Sequence, residues 1–409
     1  MRRVAITGLG LASPLGNDAA ALLAALSAGR PAVARLDAPF ASRLASPVAA
    51  RAAIDAEARF PGQKQRMLDR VGQFGLAAAQ DAIASAGLTL PGADPDRVGV
   101  FVGTGMGGAQ TLDDGYKTLY GDQSDRMKPF SVLTAMAGAP AAWIALDHAI
   151  TGPSLTYSTA CSSSSVAIGE AWRRLRGGEI DMAVAGGAEA PLTLGTMQAW
   201  EALRTVATVD GDDPAASCRP FSRDRSGLVL GEGAAMLVLE DWDTARARGA
   251  PILAELAGYG LATDIAHLTR PSVQGQARAM RAALSSAQLP PDAIDYVNAH
   301  GTGTPANDGV ECAAIREVFG AWAERLQVSS TKAMHGHLLG AAGALELAVC
   351  VVAMRARMVP PTANLRAPDP ACDLDCVPNA ARHDVTMRAA ISSSFAFGGT
   401  NAVLVLRSA

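Results

Sequence analysis

Thr7-Gly8-Leu9-Gly10-Leu11-Ala12-Ser13, near the start of the chain, has an echo far along it in Ala257-Gly258-Tyr259-Gly260-Leu261-Ala262-Thr263. Each stretch follows a short apolar run that reads as a strand ending in a glycine turn. A second pair is Ala82-Ile83-Ala84-Ser85-Ala86-Gly87-Leu88 and Ala283-Leu284-Ser285-Ser286-Ala287-Gln288-Leu289, each ending a helical pattern. The third is a strand with its turn: Val98 to Val102 before Gly103-Thr104-Gly105, and Tyr296 to Ala299 before Gly301-Thr302-Gly303. The offset falls from 250 to 201 to 198 residues while the order is kept. Ordered self-similarity indicates duplication; chance likeness of glycine-rich turns is the competing account. A shrinking offset puts insertions in the first copy. Two related α/β halves are expected, 1–250 and 251–409, the first carrying the extra length.

Within each half, strands of Val, Ile and Ala alternate with Ala-rich helices such as Asp69 to Gly87 and Gln276 to Ser286. That alternation predicts α/β layers around a largely parallel or mixed sheet. The first glycine turn is spaced Gly8-x-Gly10-x5-Gly16, not as a dinucleotide fingerprint, and no phosphate-binding Gly-Lys-Ser/Thr loop occurs.

The 409 residues are enough for two to three domain-sized units. Only 18% are charged and 49% are hydrophobic, with 41 glycines, which argues against disorder and for deep burial plus a subunit interface. A homo-oligomer is expected. A net charge of −4 without a long single-sign run makes nucleic acid an unsuitable partner. Glycines interrupt the apolar start too early for a signal peptide. The longest uncharged apolar stretch, Pro129 to Leu146, holds two prolines and a glycine and reads as buried core, with no membrane insertion. Six scattered cysteines without a signal sequence suggest reduced thiols in a cytoplasmic protein. Cys372 and Cys376 are close in sequence but lack companions for a metal site.

The chemistry concentrates in four segments. In Thr159-Ala160-Cys161-Ser162-Ser163-Ser164-Ser165, the stripe Ile168, Trp172, Leu175 follows, so Cys161 lies at a helix N-terminus. Free N–H groups there lower a thiol pKa and make a nucleophile, whereas an isolated cysteine is more often a small core residue. Three of the six histidines occupy two glycine-rich loops, His300 in Ala299-His300-Gly301-Thr302-Gly303-Thr304, and His335 with His337 after Lys332. Strand-end loops of this kind carry reactive groups in α/β folds. Glu346 lies inside the apolar helix 338–354; it either faces solvent or is buried against a cation, for which Lys332 is the candidate. Phe395-Ala396-Phe397-Gly398-Gly399-Thr400-Asn401 reads as a plain hairpin turn, or as a movable aromatic door beside backbone N–H groups of an oxyanion hole.

Together, Thr-Ala-Cys-Ser-Ser at Cys161, His-Gly-Thr-Gly-Thr at His300, Lys332 with His337 before Leu-Leu-Gly-Ala-Ala-Gly, and Phe-x-Phe-Gly-Gly-Thr-Asn resemble the elongating β-ketoacyl-acyl carrier protein synthases. Arg219-Pro220-Phe221, Asp224-Arg225, Gly231-Glu232-Gly233 and the opening Val4 to Gly16 fit the same family. The resemblance spans essentially the whole chain. It implies a thiolase-like fold, with duplicated βαβαβ-type halves giving five α-β-α-β-α layers, and a homodimer that condenses malonyl and acyl groups borne by acyl carrier protein without a cofactor or metal. Cys161 would carry the acyl chain; His300 and His337 would stabilise the enolate; Lys332 and Glu346 would support the histidine loop. The backbone of Cys161 and Phe397 would form the oxyanion hole, with Phe397 as the gate. Phe395, Gly398, Gly399, His335, Thr302 and Thr304 would line the substrate, and Lys64, Arg66, Arg70, Arg126, Lys128 and Arg204 would meet the acidic carrier.

Two departures from the family pattern stand out. His335 replaces the usual Thr two residues before His337, which is expected to alter the malonyl site. Ala202-Leu203-Arg204-Thr205-Val206 lacks the usual Ser-Thr-Arg wording, so specialised polyene or polyketide elongation competes with housekeeping fatty-acid synthesis. A non-catalytic chain-length subunit would lack Cys161. A thiolase would use a second cysteine in a glycine-rich context, which Cys372 and Cys376 do not have, and initiating synthases would place Asn at His337.

Overall fold

The computed structural model describes residues 1–90 and 94–409. In chain order the principal strands are β1 (Val4–Ala12), β2 (Val98–Gly103), β3 (Ser154–Tyr157), β4 (Met182–Glu189) and β5 (Gly233–Asp241), then β6 (Ala254–Thr263), β7 (Tyr296–Asn298), β8 (Gln327–Ser329), β9 (Ala389–Phe395) and β10 (Thr400–Arg407). Their order across the sheet is β3-β2-β4-β5-β1 followed by β6-β10-β9-β7-β8. The second five take the places of the first five, each strand five numbers on. In each set the three strands farthest from the β1–β6 junction run parallel, and the other neighbouring pairs are antiparallel. The two sets are joined at β1 and β6 through two residue pairs, Ala5 with Glu255 and Ile6 with Ala254.

Helices supply three further layers. Arg70–Ser85 (α1) and Ala139–Asp147 (α2) cover the first set, while Ser163–Gly177 (α3) lies between the sets. Val273–Ala287 (α4) and Asp308–Phe319 (α5) cover the second set, and Ala342–Arg355 (α6) pairs with α3 in the middle. Three apolar cores fill the gaps. One holds Phe74, Val100 and Ile144, the central one Ile6, Trp172 and Leu347, and the third Met280, Ile315 and Val405. α6 is buried along all but its last residue, which accounts for its lack of an amphipathic pattern.

The repeated glycines have a different role from the one their sequence suggests. Gly8 and Gly10 lie inside β1, not in a turn after it. A Cβ at Gly8 would stand 2.2 Å from the oxygen of Ala82, and at Gly10 1.9 Å from that of Ala78. Gly258 and Gly260 meet Ala283 and Ala279 in the same way, at 2.7 and 2.1 Å. The missing side chains let α1 and α4 rest their backbones directly on β1 and β6. The echo that reveals the duplication is therefore a helix-on-strand contact used twice.

Pro129 to Leu146 also departs from expectation. It forms a short helix, Ser131–Ala135, and then α2, and only Pro140, Ala141 and Ile144 are buried on those two helices. Phe130, Val132, Leu133, Met136 and Leu146 are exposed. The stretch is apolar because it forms a surface of the chain, not because it fills the core. Among the described residues no helix is long and apolar enough to cross a membrane.

Candidate active site

The four reactive segments follow β3, β7, β8 and β9, so the duplicated sheet delivers all of them to one place. After β3 the chain turns through Ala160, whose φ of +49° is unusual for a residue with a side chain, into Cys161 and then α3. The serines after Cys161 build this turn instead of capping the helix; no side-chain cap bond is made by Ser162. The Ser163 hydroxyl donates to Ala160 O at 2.6 Å and accepts from Thr159 N–H at 2.9 Å. Ser164 Oγ accepts from Ala344 N–H at 2.9 Å, and Ser165 shares a 2.8 Å hydrogen bond with Ser394. The turn that carries Cys161 is thus bonded to α6 and β9 of the second half.

Burial pushes the Cys161 thiol up to about 12, against the pull of Lys332 and of a hydrogen bond from the Phe397 N–H. This corrects the expectation of a thiol activated by its helix end. Complete removal from water costs the thiolate more than the helix terminus and one cation return.

Sγ of Cys161 and one ring nitrogen of each of His300 and His337 lie within 4.8 Å of one another. Among the described residues this is also the one group of its kind compact enough to hold a metal ion. The rings of His300 and His337 meet edge to face, 5.4 Å between centroids. His337 Nδ1 accepts from Leu339 N–H at 3.2 Å, which puts the ring proton on Nε2; that buried Nε2 has no partner among the described residues. Lys332 Nζ stands 3.4 Å from His300 Nδ1 and donates to His300 O at 2.6 Å, so His300 also carries its proton on Nε2. Burial, reinforced by Lys332, holds both imidazoles well below the usual histidine range, and both are neutral at pH 7.

Lys332 and Glu346 form an ion pair with no solvent exposure, which decides between the two placements open for Glu346. Burial raises the Glu346 carboxyl to about 7, with Lys332 opposing. Neither residue lines the cavity; both stand behind His300.

A cavity of about 230 Å³ opens onto Cys161, His300 and His337, lined also by Thr302, Thr304, Phe395, Phe397 and Gly399. Gly398 faces solvent and does not line it. Phe397 occupies the turn of the β9–β10 hairpin and stacks on Trp200 at 5.8 Å between centroids, closing one side. His335 belongs elsewhere. Its ring is bonded to Thr331 Oγ1 at 2.9 Å and Gly336 O at 2.7 Å, is fully buried, and lines no part of the cavity. The polar change expected at the malonyl site is absorbed inside the Lys332–His335 turn. Cys372 and Cys376 lie in the third core, away from the cavity.

Two buried carboxylates escaped the sequence reading. Glu189 accepts from the N–H groups of Gly105, Met106 and Gly340 at 2.6, 2.9 and 2.8 Å, tying the end of β4 to the turn before α6. Glu311 on α5 accepts from His300 N–H and Gly301 N–H, both at 2.7 Å, and so fixes the backbone of the histidine loop. Burial raises each to about 7. The available signals were slight, an acid ending an apolar strand and an acid on the buried face of a helix.

Arg66, Arg70, Arg126 and Lys128 border a groove of about 1120 Å³. Arg70 is bonded to Glu232 at 2.6 and 2.8 Å, and Lys64 lies outside the groove, paired with Asp147. Arg204 does not line the groove; its sequence neighbours Leu203 and Thr205 line the active cavity.

Residues 1–245 match the family model described as Beta-ketoacyl synthase, N-terminal domain, and residues 253–366 match the corresponding C-terminal domain. This chain belongs to the beta-ketoacyl synthase family. It is an acyltransferase-class condensing enzyme with a thiolase-like fold. The synthase is 42% identical over 406 residues to Nodulation protein E of Rhizobium leguminosarum bv. trifolii, covering 99% of both chains. It is 39% identical to 3-oxoacyl-[acyl-carrier-protein] synthase 2 of Staphylococcus aureus (strain N315), covering 99% of this chain and 98% of that one. Its structure is similar to the ketosynthase solved as a type II PKS acyl-carrier protein in complex with its ketosynthase bound to the hexaketide. The TM-score is 0.92 at 30% identity, covering 100% of this chain and 99% of that one.

Proposed function

We propose that this synthase condenses a malonyl group on acyl carrier protein with an acyl chain held on Cys161, releasing CO2 and a 3-oxoacyl carrier. The observation that carries the reading is the convergence of one thiol and two neutral Nε2–H imidazoles on a single cavity. In the first half-reaction Sγ attacks the acyl thioester, and the thiol proton ends on the departing carrier thiol. The Phe397 N–H pulls the Cys161 thiol pKa down; with the Cys161 N–H it would hold the oxyanion. In the second, the two Nε2–H groups donate to the malonyl thioester carbonyl. Loss of CO2 leaves an enolate on that oxygen; its carbon attacks the Cys161 thioester, the C–S bond breaks to give the 3-oxoacyl carrier, and the released Sγ takes a proton from water. Donors aimed at a developing oxyanion are worth ~10²–10³ in rate each. No cofactor enters either step.

The carrier is proposed to dock through Arg66, Arg126 and Lys128, which make no ion pair among the described residues. A homodimer is proposed from the exposed apolar face of Phe130, Val132, Leu133 and Met136 and from β3, an edge strand whose Ser154 and Leu155 are exposed. Acyl carriers of varied length and unsaturation test the reading. Wild-type protein should gain the acyl mass and extend it with malonyl carrier, and Cys161→Ala should gain none; an adduct persisting in the variant overturns the assignment.

A further inference from the structure

The rim of the Cys161 cavity includes loop 264–272, between β6 and α4, and this loop is firmly held. Asp264 N–H donates to Gly399 O at 2.7 Å and Gly398 N–H to Leu268 O at 2.8 Å, so the loop is bonded to the hairpin that carries Phe397. The Asp264 carboxylate is used inside the loop, accepting from Ala266 N–H at 3.0 Å and Ser272 N–H at 2.7 Å. Arg270 sits on the same rim. It is exposed, lines the cavity that reaches Cys161, and makes no ion pair or hydrogen bond among the described residues. Arg225 and Arg219 are engaged, Arg225 with Asp369 and Thr304 O and Arg219 with Asp210, and Arg204, which has no ion pair among the described residues, does not line the cavity.

A free guanidinium at the mouth has no use for an acyl tail. The same cavity is lined by Asn401 and Thr205, whose Nδ2 and Oγ1 are buried without a hydrogen-bond partner among the described residues, and Asn401 is only 3% exposed. Unpartnered buried polar atoms are costly, so the occupant must bring polar groups of its own. A carrier-borne thioester arrives on a phosphopantetheine arm, with amides behind the sulfur and a phosphodiester beyond them. The cavity offers a group for each part of that arm: Cys161 for the thioester, the orphaned polar atoms of Thr205 and Asn401 for the amides, and the exposed Arg270 for the phosphate.

We propose that Arg270 binds the phosphate of the carrier's phosphopantetheine arm and so selects phosphorylated thioesters. The proposal rests on the carrier-thioester reading above. A planar guanidinium suits a phosphate oxygen pair, and a partly solvated contact of this kind is worth about fivefold in affinity.

The test compares two protein-free substrates, hexanoyl-phosphopantetheine and hexanoyl-pantetheine, by the rate at which each adds hexanoyl mass to Cys161. Arg270→Ala should raise KM about fivefold for the phosphorylated substrate and leave the other unchanged, with Arg270→Lys recovering part of the difference. An equal effect on both substrates overturns the proposal. So does weakened use of hexanoyl-acyl carrier protein with no change for free hexanoyl-phosphopantetheine, because Arg270 would then contact the carrier's protein surface. If neither substrate acylates the unaltered enzyme, the thioester reading itself fails, and this proposal with it.

Discussion

The Lys332 ammonium donates to the main-chain oxygen of His300 at 2.6 Å while standing 3.4 Å from Nδ1 of the same residue. One cation thus holds both the backbone and the ring of the histidine and dictates which ring nitrogen keeps the proton. It can do so deep in the protein because Glu346 neutralises it. We propose that the pair acts through His300, with Lys332 and Glu346 as positioning residues.

Their structural and positioning contributions should separate. Lys332→Met leaves Glu346 buried without its cation, and loss of about 3–5 kcal/mol in denaturant unfolding is expected. The deficit should shrink as pH falls below 7, since a protonated Glu346 needs no cation. Lys332→Met with Glu346→Leu should recover most of the stability but not the condensation rate, because His300 Nδ1 still lacks its donor. Full recovery of both would show that the pair serves stability alone.

His300→Ala and His337→Ala should lower malonyl decarboxylation by ~10²-fold or more each while Cys161 still accepts an acyl group. Release of labelled CO2 and mass gain on Cys161 report the two half-reactions separately. Equal loss in both would contradict donors aimed at the enolate alone.

The Cys161 thiol gives a pH prediction with a definite sign. Its pKa is raised to about 12, so the thiolate is a trace species at pH 8 and grows with pH. Alkylation by iodoacetamide should climb about tenfold per pH unit from pH 8 to 10, past the point near ~8.5 where an ordinary thiol levels off. A plateau below pH 8 would restore the helix-end account of its reactivity.

The duplication and the reactive loops were legible because glycine, histidine and cysteine are scarce or sharply placed, and their spacing survives without knowledge of neighbours. Cys161, His300 and His337 stand in three such loops, and the parallel strands before them bring the loops together. What the sequence hid was which atoms each side chain meets. Glu189 and Glu311 hold backbone N–H groups far away or across a turn, and no periodicity marks such a bond. His335 read as a cavity residue because it sits two positions from His337, yet the intervening Gly336, at φ +67°, turns it away. The exposure of Phe130 and Val132 was hidden for the opposite reason, since an apolar surface and an apolar core have the same composition.

The glycine echo supplies the sharpest test of the fold. Gly10→Ala and Gly260→Ala each place a methyl about 2 Å from a helix carbonyl, at Ala78 and Ala279. Neither neighbour is a side chain that can swing aside, so α1 or α4 must lift from its strand. Overpacking of this severity costs roughly 3 kcal/mol or more, above the usual 1–3. Gly177, at the end of α3, has nothing within 4 Å of where a methyl would stand and no positive φ. Gly177→Ala should therefore be neutral or slightly stabilising, through better helix propensity. Denaturant midpoints for the three variants decide the matter. If Gly10→Ala and Gly260→Ala are no worse than Gly177→Ala, the duplicated glycines do not mark a backbone contact, and the shared architecture of the two halves needs another cause.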